Sequence, residues 1–281
     1  MSPESGSRYA HAASQAPMPS MAPMTPMDLG RGDRPSALSS SSSAAEPAAG
    51  AASVQTSTRV VDDQTWVRAV VRTPWIHPGD DLAELLRQHV LPLARPGDLA
   101  IVSEKAATIA TSRGIPLDAV KVGPLARRLA GYVRPRGDSR GLSIPHKMQY
   151  VIDEVGRARI LAAVAAAGLT RPLGMPGAFY TVAGRIARCM DGGRPPFEHL
   201  LLPPLHPRSA RALARSLESA VGLHVAIVDI NDRGGSVRGV SGGAVTPRLL
   251  RRILADNPMG QRDQRTPIGL VTLAPPTVKL G

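Results

Sequence analysis

The stretch LHVAIVDINDRGG, residues 223–235, guides the interpretation of the whole chain. Five of its first six residues are apolar, which is typical of a buried strand. Asp229, Asn231 and Asp232 follow at once, and paired glycines come after them. In open α/β sheets, ligands bind beyond the carboxyl ends of strands. The side chains therefore predict either a site for a hard cation such as Mg²⁺ or Mn²⁺, or a polar hairpin turn in which Asp and Asn bond the backbone.

Helix boundaries are marked clearly on both sides of this stretch. Upstream, Pro207 stands where the first turn of a helix tolerates proline, and Gly222 closes the helix predicted over 207–222. Downstream, Thr246-Pro247 starts a second helix, which Asn257-Pro258 stops. The sequence thus predicts a helix, a strand and a helix in succession.

The region nearer the N-terminus predicts a strand–helix–strand unit. WVRAVVRT (66–73) alternates like a strand. HPGDDLAELLRQHVL (77–91) predicts a helix, with Asp81 and Glu84 spaced as a capping box. RPGDLAIVSEK (95–105) predicts a turn and then a second strand, which runs into Ser103, Glu104 and Lys105.

The middle of the chain, residues 122–190, is predicted to be mostly helical. GPLARRLAGYV and MQYVIDEV have helical spacing, and RILAAVAAAGL is rich in helix-forming residues. Gly and Pro interrupt this pattern in RPLGMPGAFYTVAG, where AFYTVA (178–183) predicts a strand. Because helices and strands alternate along the chain, the expected fold class is α/β, of the mixed α+β kind.

Two parts of the chain differ sharply in composition. Residues 1–58 are rich in Ser, Ala and Pro and lack any hydrophobic period, so we expect a disordered tail. Residues 59–281 are expected to form one folded domain.

The net charge of +12 comes almost wholly from arginine, since only four of the 34 Lys+Arg residues are lysine. Abundant Ala, Gly and Pro make a GC-rich coding sequence an equally good explanation of the arginine count. A basic surface can bind nucleic acid, but aromatic residues make up only 3% of the chain and offer few stacking platforms. We therefore expect an anionic small-molecule substrate and no nucleic acid.

The remaining composition predicts a cytoplasmic protein. Cys189 is the single cysteine, which favours a reducing compartment. The longest apolar run, ILAAVAAAGL, has ten residues and is too short to span a membrane. The N-terminus has no charged segment followed by an apolar core, so no secretory signal and no membrane contact are expected.

Several further motifs have two interpretations each. Asp191, before Gly-Gly, is ordinarily a turn residue and becomes interesting only if the fold brings it near Asp229. GGSVRG (234–239) is either a weak phosphate loop or a hairpin, and no Walker loop occurs. Cys189 would need His199 or His206 nearby to act as a nucleophile, so a structural thiol is the better interpretation. Gln261, Arg262 and Asp263 are expected to line either a site or a dimer contact.

Five segments occur in an order that resembles the coenzyme F420-0:γ-glutamyl ligase family, in particular its shorter bacterial, ligase-like branch. They are GDDLAELL, GDLAIVSEK, FYTVAGRIARCMDG, LLLPPLHPRSARALARSLESAVGLHVAIVDINDRGGSVRG and DNPMGQRDQRTPIGLV. The resemblance covers roughly residues 66–271. It implies a mixed α/β fold that forms an intertwined homodimer. The implied activity is a GTP-dependent ligase that uses Mn²⁺ or Mg²⁺ and joins L-glutamate to a carboxylate of a phosphate-containing cofactor precursor.

The resemblance also implies roles for individual residues. Asp229 and Asp191 match the family's metal-binding aspartates, and Lys105, with Glu104, matches a lysine segment at a strand end. Lys105 and Asp229 are therefore the expected catalytic residues. The expected metal ligands are Asp191, Asp229 and Asp232, and the expected nucleotide- or substrate-binding residues are Glu104, Lys105 and Asn231.

The chain departs from the family's pattern at two places. CMDGG stands where the ligases have a GIDxSN-like loop, and Ile230, Asn231 and Asp232 replace a Thr and a Gly-Arg segment. Three hypotheses follow: a metal- and nucleotide-dependent amide ligase, a non-catalytic or repurposed family member that binds a ligand or partner, and a polyanion binder. The third predicts affinity that falls steeply with salt and needs no metal.

Overall fold

The computed structural model describes Tyr9 and residues 53–135, 140–175, 177–193, 195–232, 234–260 and 264–275. The helices of this part of the chain are α1 (Leu82–His89), α2 (Glu104–Ala110), α3 (Pro124–Gly131), α4 (Pro145–Val155), α5 (Arg157–Thr170), α6 (Ala178–Ala183), α7 (Arg185–Cys189), α8 (Pro207–Val221) and α9 (Pro247–Ile253). The strands are β1 (Val54–Val61), β2 (Gln64–Val71), β3 (Leu99–Ser103), β4 (Ile115–Pro116), β5 (Asp191–Gly192), β6 (Leu200–Leu202), β7 (His224–Asn231), β8 (Gly234–Val240) and β9 (Ile268–Leu273).

Six strands form a mixed sheet in the order β1-β2-β9-β3-β7-β8. β3 and β7 are parallel, with Leu99 opposite His224 and Ser103 opposite Val228, and the other neighbours are antiparallel. A smaller sheet has the order β4-β6-β5. The predicted mixed α/β class is confirmed.

The central strands are buried on both faces, which explains why β3 and the start of β7 read as continuous apolar runs. Ala100 and Val102 pack into a core cluster with residues of α1 and α8, whereas Leu99 and Ile101 pack into a second cluster with residues of α9. A third cluster gathers α3 to α7 against β4 and β6. The main sheet is thus covered on both faces, and a helical layer with its own core adjoins it.

Most helix predictions are confirmed, although α9 ends at Ile253, before the predicted stop at Asn257-Pro258. Asp81 caps α1 through its side chain, which accepts a hydrogen bond from the Ala83 N–H. Pro207 occupies the first turn of α8, and Gly222 ends that helix with a left-handed φ of 72°. Thr246 caps α9. None of the helices in the described ranges is long and apolar enough to cross a membrane.

The folded domain begins earlier than residue 59. β1 starts at Val54 and pairs along its whole length with β2 across a turn at Asp62 and Asp63, both of which have positive φ. Residues 54–58 are edge-strand residues, mostly exposed, so their polar composition matches that of the preceding segment. The predicted boundary at 58 is therefore wrong by several residues. The tail is predicted to be disordered. Apart from Tyr9, its residues before 53 lie outside the described residues.

The predicted strand AFYTVA is also wrong, because these residues form α6. Gly177 and Gly184 bracket the segment with positive φ. Phe179, Tyr180 and Val182 pack against the helical core cluster. The aromatic and β-branched composition favoured a strand, but this segment packs in a helical layer, and packing outweighs the local preference.

Candidate active site

A cavity of about 990 Å³ opens at the carboxyl ends of the parallel strands β3 and β7. β7 runs on as far as Asn231, so Asp229 is not at the predicted strand end. Asp229 is nevertheless the first residue of β7 beyond the last β3 pair, Ser103 with Val228. Its partner across the hairpin is Ser236. Of the residues predicted for the site, those that line this cavity are Lys105, Asp191, Asp229, Asn231 and Asp232.

Asp191 lies between two lysines. Its Oδ2 atom is 2.6 Å from Nζ of Lys105, at the start of α2, and its Oδ1 atom is 3.9 Å from Nζ of Lys147, on α4. Burial alone would raise the pKa of Asp191, but the Lys105 ammonium, helped by Lys147, holds it below its ordinary value. Asp191 is therefore ionised near neutral pH.

Glu104 lies beneath the cavity and does not line it. Both of its oxygens are engaged, since Oε1 accepts from the Leu205 N–H at 2.8 Å and Oε2 accepts from Nε of Arg238 at 3.0 Å. Arg238 also donates from Nη2 to Oδ2 of Asp229, at 2.7 Å. Burial raises the pKa of Glu104 despite the opposing Arg238 charge, and the neighbouring Asp229 raises it further. Arg238 thus forms ion pairs with both the buried Glu104 and Asp229, which lines the cavity.

Asp232 pairs with a residue from the other side of the fold. Its Oδ1 atom accepts a 2.7 Å hydrogen bond from Nδ2 of Asn257, just beyond α9. Both residues line the cavity. Asp191, Asp229 and Asp232 therefore share one cavity, but each has a different partner. Within the described residues, no three His, Cys, Asp or Glu side chains form a group that could hold a metal ion.

Aromatic side chains form part of the cavity wall. Trp75 and Phe197 meet edge to face, with ring centroids 6.3 Å apart. The Arg265 guanidinium lies over the Trp75 ring at 5.7 Å from its centroid. A planar ring and a positive charge are thus available at the cavity wall for a ligand that combines an aromatic ring with a negative charge.

The glycines that follow Asp191 are required by close packing. A Cβ atom on Gly193 would collide with the backbone of Phe197, and one on Gly192 would come within 2.8 Å of Cε of Lys147. The CMDGG loop therefore brings the backbone close to Lys147 and to the β5–β6 connection. A larger side chain at position 193, such as the Ser of the resembled motif, would not fit here without rearrangement.

Sequence reasoning missed Lys147, Arg238, Asn257, Trp75 and Arg265. One usable signal was that lysine is rare in this chain, and Lys105 and Lys147, two of its four lysines, meet at Asp191. Arg238 was hidden in GGSVRG, which forms the strand β8 of a hairpin, as the hairpin alternative predicted.

Three other predicted features have outcomes of their own. Cys189 is half-buried beside Arg238, with which it interacts. His206 caps α8 by accepting from the Arg208 N–H, and His199 is exposed, so neither is hydrogen-bonded to the thiol in the part of the chain that the structure describes. Gln261, Arg262 and Asp263 lie outside the described residues.

The structure is that of an α/β protein with a cavity lined by charged residues at the carboxyl edge of its sheet. Residues 70–247 match the model of the F420-0:gamma-glutamyl ligase family, which is more than half of the chain. The chain therefore belongs to this family of ligases, and the resemblance seen in its sequence is confirmed. A search of the curated proteins finds no relative with significant similarity.

Proposed function

We propose that the protein joins the amino group of L-glutamate to a carboxylate of F420-0 or a similar phosphate-containing precursor, at the expense of GTP. The precursor carboxylate attacks the γ-phosphorus of GTP, and the bond to the β-phosphate oxygen breaks, which yields an acyl phosphate and GDP. The glutamate ammonium loses one proton, its nitrogen attacks the acyl carbon, inorganic phosphate leaves, and the nitrogen loses a second proton to give the amide N–H. One amide is formed for each GTP consumed.

The observation that carries this proposal is that Lys105, Asp191 and Asp229 line one cavity at the carboxyl ends of β3 and β7. Lys105 is the second residue of α2, and its ammonium faces the cavity beside Asp191. A cation in that position can bind a phosphate or carboxylate oxygen and stabilise the negative charge that develops on it. Arg265, on the same wall, offers a second cation for a substrate with several negative groups.

The donor chemistry of the cavity fits a divalent metal. Asp191 and Asp229 supply hard carboxylate oxygens, and Mg²⁺ is commonly held by one or two carboxylates together with substrate phosphates. These two residues would hold the ion, which would balance negative charge on the nucleotide phosphates. Asp232 is engaged by Asn257 and is left out of this pair. Lys105, now paired with Asp191, would then be released toward anionic substrate groups, whereas Arg238 is buried and keeps its ion pair with Glu104.

The homodimer that the resemblance implies belongs to this proposal as well. The helical layer exposes Leu161, Leu169, Leu173 and Met175, each by half or more of its surface. A second copy of the chain would cover such apolar area. Light scattering after size exclusion tests this point, and a monomer at micromolar concentration would contradict it.

A second candidate is a family member that binds a ligand without turnover. The favouring observation is that Asp191 and Asp229 already have protein cations as partners, so their charges are balanced within the chain. Such a protein would bind nucleotide or precursor without releasing GDP.

The test separates the two candidates. The full chain is incubated with GTP, Mn²⁺ or Mg²⁺, F420-0 and L-glutamate, while GDP release and the mass of the precursor are followed. The proposal expects GDP release that requires all components and a precursor heavier by one glutamyl group. Asp229→Asn should abolish both, whereas Asp63→Asn, which removes an exposed carboxylate from the β1–β2 turn, should not. Saturable binding without GDP release supports the second candidate.

A further inference from the structure

Asn257 is fixed in place by its backbone. It follows α9 with a φ of 53°, a left-handed conformation that Asn tolerates better than most residues. Its N–H donates to the Leu254 carbonyl, and its own carbonyl accepts from the Gly260 N–H. The residue is 6% exposed and lines the cavity. Its backbone is therefore held beside the cavity.

The amide of Asn257 is only half satisfied. Its Nδ2 atom donates to Oδ1 of Asp232, but its Oδ1 atom is buried and has no hydrogen-bond partner among the described residues. Turning the amide over would set its oxygen against the Asp232 carboxylate, so the observed orientation is the favoured one. Buried carbonyl oxygens without a partner are uncommon, because the unmade hydrogen bond is costly. An unpaired acceptor beside a carboxylate, in the wall of a cavity, points to a ligand that donates.

We propose that Asp232 and Asn257 hold the amino group of the amine substrate. This inference rests on the proposed ligase function and names one subsite of it. A primary ammonium has three donors, no acceptor and a positive charge. The pair offers a carboxylate and an amide carbonyl, which match such a group in both hydrogen bonding and charge. An anionic group would be repelled by Asp232.

Other parts of the wall suit the rest of an amino acid. Lys105 and Arg265 are cations that line the same cavity, and a dicarboxylic amino acid carries negative groups that they can bind. The cavity of about 990 Å³ is large enough for an amino acid beside a larger ligand. The amino group thus binds Asp232 and Asn257, and the carboxylates bind Lys105 and Arg265.

The experiment compares L-glutamate with glutarate, which lacks only the amino group. The full chain, held with Mn²⁺ and a non-hydrolysable GTP analogue, is titrated with each acid while its melting temperature is followed. We expect wild-type protein to bind L-glutamate at least about tenfold more tightly than glutarate, because glutarate cannot donate charge-assisted hydrogen bonds to the pair. Asp232→Asn should remove this preference and leave glutarate binding unchanged.

Two variants distinguish loss of the amino-group subsite from loss of the fold. Asp232→Asn retains an oxygen that can accept from Asn257, and Asn257→Gly retains the left-handed backbone while removing the amide. Both should lose the preference for the amino group, and Asp63→Asn, in the exposed turn, should keep it. Each variant must melt cooperatively in the absence of ligand.

The outcomes distinguish this inference from the proposed function. If both variants prefer L-glutamate as strongly as the wild type, or if the wild type is not stabilised by L-glutamate at millimolar concentrations, the subsite is wrong. A stabilising response to the GTP analogue with Mn²⁺ would leave the ligase proposal standing in either case. Conversely, loss of that nucleotide response with retained amine preference would remove the ligase proposal and keep the amine site.

Discussion

The Nζ atom of Lys105 lies 2.6 Å from Oδ2 of Asp191, and this pair joins the start of α2 to the β5 strand at the cavity. Both side chains are nearly half exposed. An ion pair in such a position contributes little to folding, so its presence at the cavity is better explained by ligand binding.

Lys105→Met should therefore separate activity from stability. Loss of a cation that stabilises developing charge lowers turnover by about 10²–10³-fold, whereas an exposed ion pair contributes at most about 1 kcal/mol to the free energy of unfolding. GDP release and urea denaturation measure the two quantities. Arg87→Met, which removes a similar exposed pair with Glu84, is the control and should leave turnover intact.

The same pair predicts behaviour in acid. Although burial opposes it, Lys105 lowers the folded pKa of Asp191, so this carboxylate stabilises the fold above its unfolded pKa and loses that contribution as pH falls through the lower folded value. In Lys105→Met, the free energy of unfolding should fall less on acidification. Unfolding free energies of the wild type and the variant should converge as the medium is acidified below about pH 4. Parallel curves would show that Lys105 has no such linkage with Asp191.

Arg238→Met should destabilise the protein strongly. Arg238 and Glu104 are both buried, and removal of one partner of a buried ion pair costs about 3–5 kcal/mol because the other charge is left unpaired. The pKa of Glu104 is raised already by burial and would rise further. A raised carboxyl pKa favours the fold at low pH and loses that contribution as pH rises through it, so the variant's deficit should grow from a pH below the ordinary carboxyl pKa of 4.5 to one well above it.

Urea denaturation at both pH values measures this deficit. Adding Glu104→Gln to Arg238→Met removes the unpaired charge and should restore part of the stability, with little remaining pH dependence. A deficit that is the same at both pH values would show that Glu104 is not the group responsible.

The sequence was informative where periodicity and punctuation agreed. Leu82 and Leu86 mark the buried face of α1, and Pro207 and Gly222 mark the ends of α8, because caps and apolar spacing act locally. AFYTVA failed because the helical layer that it packs into is assembled from distant segments. Local composition does not predict those tertiary neighbours.

The site divides in the same way. Residues at the end of an apolar run, such as Lys105 and Asp229, could be found from sequence since the carboxyl edge of a parallel pair collects ligands. Arg238 and Asn257 could not, because each reaches its partner only through tertiary pairing: Arg238 through the register of β7 with β8, and Asn257 through the docking of α9. Glu104 was predicted for the cavity, but its first-turn position in α2 directs it beneath the wall.

Cys189→Ala should keep most of the turnover. The thiol interacts with Arg238 and is not hydrogen-bonded to His199 or His206 in the described part of the chain, so it lacks the base that a nucleophile needs. We expect turnover within about tenfold of the wild type, in contrast to the loss of several orders of magnitude that follows removal of a covalent nucleophile. Insensitivity of the wild type to a thiol-alkylating reagent is a second measurement.

Trp75 should report ligand binding by its fluorescence. The chain has two tryptophans, of which Trp75 lines the cavity and Trp66 is buried in the main core. A nucleotide base placed near Trp75 and Arg265 should quench its emission. Trp75→Phe should lose the response, and Trp66→Phe should retain it. A response that follows Trp66 instead would place the ligand-induced change in the core and not at the cavity.

Removal of residues before 53 and before 59 should have different consequences. A chain that begins at residue 53 keeps β1 whole, whereas one that begins at 59 loses its first five residues and the Thr58 carbonyl that accepts from Nη2 of the buried Arg68. The lost pairing exposes the β2 edge and leaves a buried guanidinium less satisfied, at a cost of about 1–3 kcal/mol for each unmade bond. We expect the shorter chain to melt at least several degrees lower in thermal unfolding. The chain that begins at 53 also lacks Tyr9, which donates to Asp153 on α4, so Tyr9→Phe in the full chain measures that contact separately. Equal melting temperatures for the two shortened chains would mean that β1 adds nothing to the stability of the sheet.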